Sequence, residues 1–262
     1  MKLLFKKMTT VYQKPKVEYF FEDENEKFFL NEKIGKMLKI VFIGQFNCIE
    51  CGASTQKLFG EGFCYKCFIS SPKAEECVIH PEKCKAHEGI ARDIEYAIQH
   101  CLKPHYVYLA KTNQIKVGVT RQSQVPTRWI DQGADEAIIL AKFPYRQLAG
   151  LVEVYFKQFF SDKTQWIAML KNETCTDDLK TKWEYAKKLM PDEWKKYLLF
   201  YVDYYKFEYP KIENPQIVES VKLYNEPILE GVLTSIKGQY LVFDNKRVIN
   251  IRSHSGYNVE IL

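Results

Sequence analysis

The sequence lacks any long hydrophobic run. No stretch approaches the roughly 18 apolar residues that a membrane-spanning helix needs, although 46% of the residues are hydrophobic. The first seven residues contain only three consecutive apolar ones, Leu3, Leu4 and Phe5, which is too short for the apolar region of a signal peptide. We therefore expect a soluble, cytoplasmic protein without a membrane partner.

The sequence also has little glycine and little net charge. It contains 12 glycines among 262 residues, with no glycine-rich phosphate loop, internal repeat or low-complexity tract. The 38 Lys and Arg residues exceed the 33 Asp and Glu residues, giving a formal net charge of +5. This excess permits binding to nucleic acid without requiring it. A chain of this length can form one large domain or a few small ones.

Four cysteines form the strongest motif of the chain. Cys48 and Cys51 make one Cys-x-x-Cys pair, and Cys64 and Cys67 make a second pair after 12 intervening residues. Two such pairs at this separation are typical of a zinc ribbon, in which each pair supplies two thiolates from a tight turn. Because four thiolates complete the tetrahedron, we expect this Zn²⁺ to be structural. Disulfides are disfavoured because nothing in the sequence indicates secretion.

A second group of cysteines and histidines lies downstream of this motif. Cys84 and His87 are separated by two residues, as ligands of a zinc knuckle often are, and Cys77 and Cys101 flank them. One interpretation is a second zinc site with these four residues as ligands. The other is that they are ordinary core and surface residues, because Pro81 interrupts the other pair with this spacing, Cys77 and His80.

The stretch from residue 105 predicts a hairpin followed by two helices. Two apolar strands, beginning at His105 and Ile115, flank a polar turn. Pro126 predicts the start of one helix. A second helix begins at Arg146, and Glu153 lies beside its apolar face, where it can point along the edge of a sheet. The residues of that apolar face are Leu148, Leu151, Val152, Tyr155, Phe156, Phe159 and Phe160.

This arrangement resembles the GIY-YIG nuclease superfamily, in the branch whose second motif reads Lys-Ile-Gly. Val107-Tyr108-Leu109 stands in the place of the first triplet, and Lys116-Val117-Gly118 stands in the place of the second. Arg128 follows on the first helix and Glu153 on the next, in the family's order. The resemblance covers residues 105–172 and implies a GIY-YIG-like α/β core.

The resemblance implies a role for each of these residues in phosphodiester cleavage. Tyr108 would act as a base or position the water, Arg128 would neutralise the phosphate, and Glu153 would hold a Mg²⁺ or Mn²⁺ ion. Lys116 replaces the second tyrosine and can act as a base only if burial or a neighbouring cation lowers its pKa. The alternative is that Tyr108 is a core aromatic, Lys116 a solvated strand residue and Glu153 an exposed helix residue.

Both ends of the chain predict small β-strands. Residues 17–21 and 27–30 predict a hairpin. From Pro210 onward, five short apolar stretches are separated by tight turns, which is typical of a small barrel or sandwich. Because neither end alone would bury a sufficient core, we expect the terminal segments to form one small all-β barrel together.

Over nearly its whole length, residues 31–257, the sequence is similar to an uncharacterised bacterial family that carries only a domain-of-unknown-function label. The four-cysteine motif, a His-Pro-Glu-x-Cys segment and the hairpin block carry this resemblance. That family has additional cysteines in the region of residues 74–91, where this chain has Ala74 and Ala91, and this difference argues against a second metal site. The resemblance supports the order of the domains and implies no established activity.

These patterns together predict an α+β protein that acts on nucleic acid, either DNA or RNA. The first hypothesis is a metal-dependent endonuclease of the GIY-YIG type. The second is a zinc-containing protein that binds nucleic acid without cleaving it, and a third is a zinc-stabilised scaffold for other proteins. The predicted segments are an N-terminal β unit (1–45), a zinc-binding region (46–104), the GIY-YIG-like core (105–172), a helical connector (173–209) and the C-terminal part of the barrel (210–262).

Overall fold

A computed structural model describes residues 1–23, 26–173 and 175–262. The described chain forms two compact units. The terminal unit comprises Met1–Ser70 together with Glu208–Leu262, and the central unit is Ser71–Phe207. Both ends of the chain therefore belong to one unit, and the two cysteine groups fall in different units.

The described residues contain both strands and helices, which makes the protein α+β. The strands are β1 (Lys2–Leu4), β2 (Thr9–Gln13), β3 (Lys16–Glu22), β4 (Lys27–Phe29), β5 (Met37–Asn47), β6 (Ser54–Thr55), β7 (His105–Lys111), β8 (Ile115–Arg121), β9 (Glu136–Phe143), β10 (Tyr204–Lys206), β11 (Glu219–Ser220), β12 (Ile228–Lys237), β13 (Tyr240–Phe243), β14 (Arg247–Asn250) and β15 (Tyr257–Ile261). The α-helices are α1 (Tyr65–Ser70), α2 (Ile94–His100), α3 (Thr127–Asp131), α4 (Arg146–Phe156), α5 (Trp166–Lys171) and α6 (Leu179–Leu189).

The main sheet of the terminal unit combines strands from both ends of the chain. Its strands pair in the order β1, β15, β5, β12, β13, β14 and β11, and β6 pairs with β5. Apolar residues alternate along these strands, since Leu229 and Leu233 of β12 and Leu38 and Ile40 of β5 are buried while Glu230 is exposed. Alternation with a period of two places one side of each strand against the core.

The sheet does not close into the predicted barrel. β1 and β11 lie at opposite ends of the pairing order, and no described strand joins them. They are only three and two residues long, so they offer few backbone groups for closure. The unit instead contains this open sheet and a second sheet of β2, β3 and β4. The β3–β4 pair matches the predicted hairpin, although residues 24 and 25 of its turn lie outside the described residues.

The central unit is built on an antiparallel sheet in the order β10, β9, β7, β8. In the β7–β8 hairpin, Tyr108 lies opposite Gly118, and Leu109 lies opposite Val117. Because residues opposite one another share a face and successive residues alternate, Tyr108, Lys116 and Gly118 lie on one face of the sheet. Leu109 and Val117 lie on the other face.

Helices α4 and α6 cover the face that carries Leu109 and Val117. Val152 and Phe156 of α4 and Trp183 of α6 belong to the same buried apolar cluster as these strand residues. The indole nitrogen of Trp183 donates a hydrogen bond to the Ile139 carbonyl at 2.9 Å, which anchors α6 to the sheet. Helix α4 begins at Arg146, as the apolar periodicity predicts, and it ends at Phe156.

Residues 71–104 contain little regular secondary structure. Helix α2 is preceded by short 3-10 helices, and Asp93 caps its first turn by accepting a hydrogen bond from the Tyr96 amide at 2.9 Å. The 3-10 helices of this segment are Pro72–Ala74, Glu76–Val78, Pro81–Lys83 and Ala86–Glu88. Among the residues that the structure describes, no helix has both the length and the apolar character needed to cross a membrane.

A buried glutamine ties the two ends of the chain together in the terminal unit. The side chain of Gln239 accepts a hydrogen bond from the Met8 amide at 2.6 Å and donates one to the Met8 carbonyl at 3.2 Å. We expect Gln239→Met to lower the free energy of unfolding by about 2–4 kcal/mol, because it leaves two buried backbone groups unpaired. Urea unfolding would measure this loss. Gln45→Met at an exposed position is the matched control, and an equal effect of both substitutions would contradict the expectation.

Candidate functional site

Tyr108 lies in the core of the central unit, with only 1% of its surface exposed. Its hydroxyl donates a hydrogen bond to Gln132 Oε1 at 2.9 Å. A Cβ atom at Gly118, on the opposite strand, would lie 2.5 Å from that hydroxyl oxygen, so the glycine makes room for the tyrosine ring. Burial raises the pKa of Tyr108 to about 12, although the nearby Arg128 guanidinium opposes the rise.

Lys116 is a buried amine on the same face of the sheet. It is 3% exposed, and its Nζ donates a hydrogen bond to Thr164 Oγ1 at 2.8 Å. Burial and the positive charge of Arg128 lower the pKa of Lys116 to about 7, against the opposing effect of Glu153 and Asp162. The lysine that sequence alone could place in solvent therefore lies in the interior, where its amine is partly neutral near pH 7.

Arg128 and Glu153 are the half-buried members of the group. They come from helices α3 and α4, and both alter the pKa values of Tyr108 and Lys116. Burial raises the pKa of Glu153, which Lys157 and Arg128 partly offset, while Glu82 and Asp162 raise it further. The four residues predicted from the sequence are therefore close enough to interact electrostatically, and solvent reaches the arginine and the glutamate.

Several residues beside this group were not predicted. Glu82 comes from the loop between two cysteines, and its Oε2 atom is buried and accepts no hydrogen bond from the described residues. Gly150, one turn before Glu153 on α4, brings the helix against the backbone of Pro81 and Glu82, where a Cβ atom would collide. Nothing in the local sequence signals these contacts, because they join segments about 70 residues apart in the chain.

The four-cysteine motif forms a cluster in the terminal unit. The sulfur atoms of Cys48, Cys51, Cys64 and Cys67 all lie within 4.8 Å of one another. The Gly52 amide donates a hydrogen bond to the Cys48 carbonyl at 2.9 Å and so closes the first turn. These cysteines could bind a metal ion such as zinc.

A second cluster in the central unit consists of Cys77, Cys84 and Cys101. Their sulfur atoms also lie within 4.8 Å of one another. His87, the fourth predicted ligand, is not part of the cluster. Its ring instead stacks on Tyr145 with the ring centroids 5.0 Å apart and an interplanar angle of 8°. These three cysteines could likewise bind a metal ion such as zinc.

Comparison with known proteins identifies the family but no function. Residues 35–259 match the family described as "Protein of unknown function (DUF2797)". The chain belongs to this family. No curated protein and no solved structure matches it. Within the family, the GIY-YIG-like core and the zinc ribbon of this chain therefore stay predictions, and the arrangement of the side chains must carry any functional argument.

The buried amine of Lys116 predicts a specific pH dependence of stability. The unfolded chain, in which a lysine has a pKa of about 10.4, binds more protons than the native state above pH 7. Native stability therefore rises with pH between about 7 and 10, by at most about 1.4 kcal/mol per pH unit from this group. We expect Lys116→Met to be stabilised relative to the native protein at pH 6, and this advantage to shrink as the pH rises.

Urea unfolding of both proteins at several pH values between 6 and 10 would measure this difference. Lys142→Met is the matched control, because Lys142 is exposed on strand β9 of the same sheet. The difference between its free energy of unfolding and that of the native protein should stay constant with pH. If the difference in free energy of unfolding is also constant for Lys116→Met, the Lys116 amine does not titrate between pH 6 and 10.

Proposed function

We propose that the central unit is a divalent-metal-dependent endonuclease of the GIY-YIG type, which cleaves phosphodiester bonds in DNA or RNA. The observation that carries this proposal is the environment of Lys116. A lysine in this place can serve as a base only if its pKa is lowered, and burial together with Arg128 lowers it to about 7. A base whose pKa lies near the working pH is the most efficient one.

The pKa values favour a division of roles between Tyr108 and Lys116. With its pKa raised to about 12, Tyr108 keeps its proton at neutral pH, so it positions the attacking water rather than deprotonating it. The neutral form of Lys116 accepts the proton from the water. Arg128 lies beside both residues, and its guanidinium can pair with two phosphate oxygens and stabilise the charge that builds up during attack.

The residues around Glu153 fit a divalent cation. Glu153 is half-buried, and Glu82 and Asp162 are near enough to raise its pKa. Carboxylates that disfavour one another's ionisation in this way are stabilised by a shared positive charge, and oxygen ligands suit Mg²⁺ and Mn²⁺. When bound, such an ion would neutralise phosphate charge and assist the leaving oxygen. Glu153 would hold it.

Cleavage of labelled single- and double-stranded DNA and RNA, with Mg²⁺ or Mn²⁺, would test this function. We expect Glu153→Gln and Lys116→Met each to lower the cleavage rate about 100-fold or more, because each removes a group that acts in the transition state. Cleavage by the native protein should increase as the pH rises through about 7, since the neutral amine is the active form.

Glu184→Gln, at an exposed position on α6, and Lys142→Met are the matched controls and should cleave like the native protein. Binding of the strands without cleavage would favour the competing hypothesis, a non-catalytic protein that binds nucleic acid. If the strands then bind more weakly as the salt concentration rises, the binding rests on contacts with phosphate groups. If the protein neither binds nor cleaves the strands, both hypotheses are overturned.

We also propose that the four-cysteine cluster of the terminal unit binds a structural Zn²⁺ ion. Four thiolates, two from the turn after β5 and two from the start of α1, fill the tetrahedral coordination that zinc prefers, which leaves no position for a substrate. The aromatic rings of this segment pack on one another, with Phe59 and Phe68 stacked at 5.9 Å between centroids. Lys57 lies over the Phe59 ring at 5.0 Å. This packing supports a structural role better than a base-stacking surface.

Substitution of a cysteine in this cluster should remove one equivalent of zinc and destabilise the terminal unit. We expect Cys51→Ser to lower the zinc content by one ion per chain and to lower the melting temperature, because metal binding supplies part of the folding free energy. Elemental analysis and thermal unfolding would measure both effects. Cys175→Ser, outside both clusters, is the control, and an unchanged zinc content in Cys51→Ser would contradict the proposal.

A further inference from the structure

The three-cysteine cluster of the central unit lies in a segment that has almost no apolar core of its own. Cys77, Cys84 and Cys101 are each at most 9% exposed. The buried neighbours in their cluster are Ala86 and Ala97, and Ala91 packs against it. Alanine contributes little burial free energy, so these residues alone stabilise the segment weakly. Small segments of this kind usually depend on a metal ion or a disulfide for their fold.

The three sulfur atoms are arranged to share one metal ion. All three lie within 4.8 Å of one another. Cys77 belongs to one 3-10 helix and Cys84 follows the next, whereas Cys101 follows α2. A metal ion bound to all three would therefore cross-link the loop to the end of the helix. Thiolate ligands favour zinc among the common divalent ions.

The fourth coordination position has no protein ligand among the described residues. Within the part of the chain that the structure describes, no fourth cysteine, histidine or carboxylate oxygen lies within 4.8 Å of all three sulfur atoms. His87 is stacked on Tyr145 instead. Ala91 packs against the cluster and lines a pocket of about 430 Å³, which the three cysteines also line. An external molecule can therefore approach the cluster from this pocket.

Glu75 places a carboxylate beside the cluster. Its Oε2 lies 4.0 Å from the sulfur of Cys77. However, its Oε1 accepts a hydrogen bond from the Arg92 amide at 2.8 Å, which directs the carboxylate to the backbone. Glu75 therefore belongs to the wall of the pocket rather than to the ligand set.

We infer that Cys77, Cys84 and Cys101 bind a Zn²⁺ ion through three thiolates and leave its fourth position to an external donor. In the simplest case this donor is water. A zinc ion with three protein ligands and one open position is the coordination of reactive sites, whereas closed four-ligand sites are structural. The chain would thus carry a closed site in the terminal unit and an open one in the central unit.

The open site also supports the helix that carries Glu153. The Arg146 amide at the start of α4 donates a hydrogen bond to the Cys101 carbonyl at 2.8 Å, and its Nη1 donates one to the Cys77 carbonyl at 3.3 Å. Gly150 lies against the loop between Cys77 and Cys84. Removal of this metal should therefore loosen α4, whether or not the protein is a nuclease.

Replacement of zinc by Co²⁺ in the full-length chain would test the open position, because the visible absorption of Co²⁺ reports its ligands. We expect two metal ions per chain in the native protein and one in Cys84→Ser. The difference between their Co²⁺ spectra isolates the three-cysteine site. Imidazole should shift that difference spectrum, since it can occupy the fourth position.

Ala91→Cys supplies a fourth thiolate and should make the spectrum insensitive to imidazole, whereas Ala168→Cys, elsewhere in the central unit, should not. Glu75→Gln should leave the response to imidazole unchanged. A metal content that is the same in Cys84→Ser as in the native protein, or that falls to zero in Cys51→Ser, would overturn the site. Insensitivity of the native protein to imidazole, or a response that appears only in Glu75→Gln, would overturn the open position.

Hydrogen exchange provides a readout that does not depend on nuclease activity. Amides of α4 should exchange faster in Cys84→Ser than in the native protein, while those of β12 in the terminal unit should be unaffected. Cys51→Ser should leave the exchange rates of the α4 amides unchanged. Equal protection of α4 in Cys84→Ser and in the native protein would refute the structural link between the metal and the helix.

Discussion

The central unit buries one positive charge beside another, and this arrangement acts on Tyr108, Lys116 and Arg128 only through electrostatics. Lys116 and Arg128 act on each other in an environment that excludes most water from the lysine, and the Thr164 hydroxyl is its hydrogen-bond partner. Such a pair is costly for folding unless the amine gives up its proton or an anion approaches. Burial and the Arg128 charge together lower the pKa of Lys116 to about 7, so the amine is partly neutral near pH 7.

The two units combine this arrangement with cysteine clusters of different character. In the terminal unit, a long sheet already provides a core, and four cysteines secure a loop that leaves it. In the central unit, the three cysteines lie in the segment that precedes the sheet, and the apolar residues that pack around them are all alanines. A metal ion would therefore add to an existing core in one unit and take the place of a core in the other. In the central unit it would also stabilise α4, the helix that carries Glu153.

Local patterns in the sequence predicted the elements that depend on periodicity and spacing. The β7–β8 hairpin, the start of α4 and the four-cysteine cluster all follow from residues within a short stretch of chain. The open sheet was mispredicted as a barrel because the number and length of edge strands depend on pairings between the two ends. His87 has the spacing of a zinc ligand, yet its ring stacks on Tyr145 and is not part of the three-cysteine cluster. Thr164 and Gln132 form hydrogen bonds with the buried lysine and tyrosine, and Glu82 lies near Glu153. None of the three carries a local signal, since only the folded chain brings them there.

The division of the chain has a consequence for its synthesis. The central unit is one continuous segment, Ser71–Phe207, so all of its strands and cysteines leave the ribosome before the chain is finished. The terminal unit cannot complete its sheet until β12 and β15 are made, because both pair with β5. Most of β5 therefore keeps its backbone N–H and C=O groups unpaired while some 180 further residues are added before β12. Such long-range pairing makes the terminal unit the slower and more aggregation-prone part to fold.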